Sequence, residues 1–114
     1  MNDKYTKRQR RKLRELSEKA HEAELNKALN ELYENFNDWN AGKINAFELN
    51  ELIHKFHNGK SREIYNLYNS SVENFAVARA IVSDFLKQDN IDDGLLRLLE
   101  KEISFYKEEN PDND

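Results

Sequence analysis

Apolar positions recur every three or four residues along most of the chain, and nowhere do they alternate with period two for long enough to make a strand. In the first predicted helix Leu25, Leu29, Leu32, Phe36 and Trp39 share one face, whereas Leu13, Leu16, Ala20 and Ala23 point to a different side. The stripe changes face near residue 24, so the front half of that helix either packs on something else or frays, and a second copy of the chain could cover it. Leu49, Leu52, Ile53 and Phe56 form one face of the next helix. FAVARAIV, Phe75 to Val82, is apolar on nearly every side and reads as the central, most buried element. Leu95, Leu99, Ile103 and Tyr106 line the last helix. The pattern predicts an all-α, single-domain bundle of four to five helices with a long N-terminal helix.

Helix punctuation sets the limits. Thr6 with Gln9 three residues on has the form of a capping box, and Gly42 is placed to end that helix near Asn40. Asn45 with Glu48 is a second box, with Ile44 able to staple onto Leu49. The second helix is expected to stop at Gly59, with His57 in its last turn favourably placed at the negative end of the helix dipole. Ser61 then caps a short helix through Asn69, Ser70 with Glu73 opens one that ends near Gln88, and Asn90 or Asp92 opens the last. Asn110 and Pro111 close it near Glu109 and leave residues 110–114 as a disordered acidic tail.

Charge adds an asymmetry to this picture. Over the whole chain of 114 residues the net charge is -4. Residues 1–14 nevertheless carry seven basic side chains against Asp3 alone, a net +6, so the 15–109 helical domain and its tail are acidic. There is no cysteine, which excludes disulfides and thiolate chemistry. No apolar run approaches the roughly 18 residues that span a bilayer, and the basic start has no apolar stretch behind it as a secretory signal would. A cytoplasmic protein without a membrane span is expected.

Candidate chemistry is sparse. Glu18 with His21, and Glu51 with His54, repeat the Glu-x-x-His spacing of di-iron bundles, for which Glu73 and Glu102 would have to supply the remaining carboxylates. With 22 acidic residues in the chain such spacings arise by chance, and no metal or other cofactor is expected. His54 and His57 are three apart, not the four of a zincin helix. Asn37 to Glu48 resembles an EF-hand loop at Gly42, Ile44 and Glu48, but Trp39 and Ala41 hold its third and fifth places and offer no side-chain oxygen. A turn at Gly59 would make a helix-turn-helix with Arg62, Tyr65, Asn66 and Asn69 exposed, although the acidic body argues against that element meeting a polyanion. Arg79 lies on the most apolar helix and is expected to form an internal ion pair, with Glu51, Glu63 and Glu102 as the candidates, or to snorkel to the rim, in preference to serving as an anion anchor in a groove. No activated nucleophile or phosphate loop is present to suggest an enzyme.

Two surfaces follow. Phe47 is a large apolar residue on the face of the second helix that ought to be polar, so Phe47, Glu51, His54 and Arg62 are the expected contact with a protein partner. The alternative is a nucleic-acid accessory protein using Arg8, Arg10, Arg11, Lys12 and Arg14 of the basic arm. The sequence thus predicts a small non-enzymatic interaction protein, with a homo-oligomer also possible.

Overall fold

The computed structural model describes residues 4–70 and 72–109, and among them every regular element is helical. The first helix, α1, spans Lys7–Asn40. At 1.5 Å per residue it runs for about 51 Å, which sets the long axis of a molecule measuring 57 × 27 × 23 Å. Both ends of α1 are fixed by local chemistry. Thr6 Oγ1 accepts from the Gln9 amide at 3.0 Å while Gln9 Oε1 accepts from the Thr6 amide at 2.9 Å. Past the other end, Gly42 takes a φ of 77°, a left-handed conformation that a Cβ disfavours. Asn45 and Glu48 then close the second reciprocal box, at 2.8 and 3.0 Å, and α2 begins (Ala46–Phe56).

The expected stop at Gly59 does not occur. Phe56, His57 and Arg62 all keep right-handed helical dihedrals, and His57–Ser61 form a π turn that passes directly into α3 (Arg62–Ser70). Ala46 to Ser70 is therefore one rod with a single widened turn. Glycine costs about 1 kcal/mol against alanine inside a helix, but α2, the π turn and α3 all pack on α1, and that tertiary contact outweighs it. Three readings fall together. Ser61 starts nothing, His57 caps no C-terminus, and the helix-turn-helix has no turn.

Beyond the rod, α4 (Glu73–Val82) starts at Val72 without a side-chain cap. The Ser70 hydroxyl donates back to the Asn66 carbonyl instead of closing a box with Glu73. This helix also ends earlier than Gln88. Asp84 adopts a φ of 66°, Phe85 N–H donates to the Ala80 carbonyl at 2.8 Å and Asp84 N–H to that of Ile81 at 3.2 Å, which is a Schellman stop with aspartate where glycine is usual. Asp92 caps α5 (Asp93–Leu98) through the Leu95 amide, and a break at Leu99 separates it from α6 (Glu100–Glu109), where one continuous last helix is expected. Counting the rod once gives five helices. The predicted acidic tail, 110–114, lies outside the described residues.

The core sits where α1 begins. Tyr5, Leu13, Leu16 and Ala20 pack with Val77, Ala80, Ile81, Leu86, Ile91, Leu95 and Leu99. The front stripe of α1 thus packs rather than frays, and α4 is the central element, buried at Ala76, Val77, Ala78, Ala80, Ile81 and Val82. Its buried members skip from Ala20 to Val77. The far half of α1 and all of α2 consequently project from the core as a two-helix hairpin. There Leu49 is buried and Leu52, Ile53 and Phe56 half-buried on α2, with Ala28 buried and Leu25 and Leu32 half-buried on α1.

Candidate functional site

The projecting hairpin carries apolar side chains that its two helices cannot cover. A pair of helices hides only the strip along which they touch, and the rear stripe of α1 is wider than that strip. Leu29, Tyr33 and Phe36 follow one another at i, i+4 and i+7 and are 44, 60 and 37% exposed. Trp39, also partly exposed, meets Phe36 edge to face at 6.5 Å. On α2 Phe47 is 86% exposed.

Phe47, Glu51 and His54 occupy one outward ridge of α2, since they too are spaced i, i+4, i+7, and all three are exposed. Arg62 is exposed one element further on, past the π turn. Among the described residues no hydrogen bond or ion pair links these four. Leu29, Phe36 and Trp39 belong to the apolar stripe that the sequence shows on one face of α1, and Tyr33 joins them on this surface without having been part of that stripe.

The basic arm is divided by the fold. Arg8, Arg11 and Lys12 line one cleft of about 670 Å³ with Thr6, Gln9, Glu15, Asp92 and Leu95. Arg10 lies instead over the Tyr5 ring at 6.0 Å, and Arg14 borders a second cleft of about 330 Å³ with Ser17, Glu18, His21, Tyr68, Asn69 and Glu73. Helical periodicity explains the split, because residues two apart on a helix face different ways.

Behind the second cleft is a polar cluster that joins α1, α3 and α4. The Tyr68 hydroxyl donates to Glu24 Oε1 at 2.8 Å, Arg79 donates to the same carboxylate oxygen, and a longer 3.3 Å bond runs from Arg79 to the tyrosine oxygen. His21 stacks on the Tyr68 ring at 4.6 Å between centroids. The Glu24 side chain is 7% exposed and that of Arg79 20%, so each neutralises a charge that burial would otherwise penalise. Burial, reinforced by the Glu24 carboxylate, pushes the Tyr68 hydroxyl far above the ordinary tyrosine range, with Arg79 opposing the effect. Arg79 has the internal ion pair its position required, but with Glu24 rather than Glu51, Glu63 or Glu102. Glu102 is engaged elsewhere, accepting from the Tyr5 hydroxyl at 3.3 Å and 3.8 Å from Lys4 Nζ.

Neither Glu-x-x-His pair gathers a ligand set: among the described residues no three His, Cys, Asp or Glu side chains converge as they would around a metal ion. Nor, among those residues, is any helix long and apolar enough to cross a membrane. Comparison with protein-family models, with curated proteins and with solved structures finds no match to this chain.

Proposed function

We propose that this chain is a helical interaction protein, acting by binding rather than by catalysis, and that it docks another protein on the projecting α1/α2 hairpin. One observation carries the reading. Of the nine large hydrophobic side chains exposed among the described residues, five (Leu29, Tyr33, Phe36, Trp39 and Phe47) fall within 19 consecutive positions at the end of the molecule remote from the core. Burying a single such side chain yields about 1.5 to 3 kcal/mol, and aromatic anchors of this kind dominate protein interfaces. Glu51, His54 and Arg62 then supply polar contacts at its edge.

Affinity capture from the native cell with three forms of the protein tests it. The wild type and a variant with Arg8, Arg11 and Lys12 changed to Gln should retain the same protein, and Tyr33→Gln combined with Phe47→Gln should lose it. Equal retention by all three forms would count against the hairpin.

A second reading rests on the cleft that gathers Arg8, Arg11 and Lys12. In that reading the arm holds nucleic-acid phosphates, and binding weakens steeply with salt. Salt-dependent retention of DNA or RNA that the triple Gln variant abolishes would favour it.

A further inference from the structure

We propose that the cleft of about 330 Å³ between α1, the end of α3 and the start of α4 is a binding site for a small organic molecule with a primary ammonium head. The site is separate from the hairpin and independent of the docking reading. Its foundation is a serine. Ser17 is 9% exposed and lines the cleft, and its hydroxyl has no hydrogen-bond partner among the described residues. A serine hydroxyl on a helix can bond back to the carbonyl four residues before it, as Ser70 does to Asn66, but Ser17 does not. A polar group so far out of water and open to a cleft lacks the partner that burial normally demands.

The rest of the lining decides what that partner is. Arg14, Ser17, Glu18 and His21 follow at i, i+3, i+4 and i+7, so they share one face of α1, and α4 brings Glu73 to the same cleft. Donors there are largely spent. The Tyr68 hydroxyl donates to Glu24, and one Asn69 amide hydrogen goes to the Tyr65 carbonyl. Acceptors are open: among the described residues neither the Glu18 nor the Glu73 carboxylate has a hydrogen bond or ion pair, and Asn69 Oδ1 is unused. An ammonium group supplies three donors and no acceptor, the complement of such a set, and its bonds to carboxylates are charge-assisted. A metal ion is a poorer match, since among the described residues no three His, Asp or Glu side chains converge to ligate one. Over its whole lining the cleft holds two carboxylates against Arg14, and the Glu24 and Arg79 pair behind it adds no net charge. Arg14 is exposed where Ser17 is buried, so the cation marks the mouth and the hydroxyl the floor.

Propylammonium, 1-propanol and propionate are similar in size and differ in the head. Each is titrated against the full chain while the ring resonances of His21 and Tyr68, which stack at the cleft, are followed by nuclear magnetic resonance. Propylammonium should shift both saturably, and the other two should not. Glu18→Gln with Glu73→Gln should weaken its binding at least about tenfold, the scale of bonds to a charged group. Ser17→Ala, which removes one oxygen and suits a helix, should weaken it about threefold or more. Circular dichroism checks that both variants keep their helices. Arg14→Gln carries the opposite sign: loss of the like charge at the mouth should tighten the ammonium, whereas an anion would be released. Capped lysine presents the same head, so binding as tight as that of propylammonium makes a protein side chain its source, and exclusion makes the source a free amine. Saturation by propionate or propanol, unchanged affinity in the double Gln variant or in Ser17→Ala, or weaker binding in Arg14→Gln overturns the proposal. So does the lack of any saturable shift.

Discussion

Glu24 ties three elements of this fold together, because Tyr68 on α3 and Arg79 on α4 both depend on its carboxylate. Glu24→Ala leaves Arg79 charged and Tyr68 without its acceptor, both largely out of water, and should cost about 3 kcal/mol in denaturant unfolding. Replacing the pair together, Glu24→Leu with Arg79→Met, should recover most of that loss, since the desolvation penalty disappears with the charges. Tyr68 gives this site a pH signature. Its hydroxyl is held above the ordinary value, so the folded protein keeps a proton that the unfolded chain gives up. The stabilisation is therefore complete below about pH 10, the unperturbed tyrosine value, and is lost as pH rises beyond it. Tyr68→Phe should flatten that alkaline decline relative to the wild type and remove one late-titrating tyrosinate from the ultraviolet absorbance titration. The sequence showed that Arg79 needed a partner, because an arginine among alanines and valines is conspicuous. It did not single out Glu24, one acid among 22, whose role comes from the meeting of α1, α3 and α4.

At the scale of elements, what could be read from the sequence divides by the range of the cause. The two reciprocal caps and the left-handed Gly42 are settled by side chains within four residues, and the structure has them where the sequence put them. Gly59 was misread because glycine permits a helix stop without requiring one. The Schellman stop at Asp84 was missed for the converse reason, that an aspartate occupies the position where glycine would signal it. The two glycines should respond oppositely to alanine. At Gly59 the conformation is right-handed and an added Cβ meets nothing within 4 Å, so Gly59→Ala should stabilise by about 0.5 to 1 kcal/mol. Gly42→Ala is forced into the left-handed region and should destabilise by about 1 to 2 kcal/mol. Thermal unfolding of the two variants beside the wild type reads both signs, and a loss of stability at Gly59 would restore the turn that the rod lacks.

For the whole molecule the sequence announced an all-α bundle with a long first helix, and that is the architecture. Which stripe of α1 would be covered was not legible. Both are apolar at helical spacing, and the choice is made by α4, α5 and α6, some sixty or more residues away along the chain from the stripe they cover. That choice is what leaves Leu29, Phe36 and Trp39 of the rear stripe, with Tyr33 beside them, exposed as a candidate surface. Phe47 was legible from the start, since it breaks the polar face of its own helix. The central claim is that a protein partner seats on this projecting end and not on the body. A photo-crosslinking amino acid placed in the native cell at position 33, 47 or 19 tests it most directly, Lys19 being exposed on the half of α1 that belongs to the core. One discrete adduct shared by positions 33 and 47 and missing at 19 is the expected result; an adduct formed from 19 alone would contradict it.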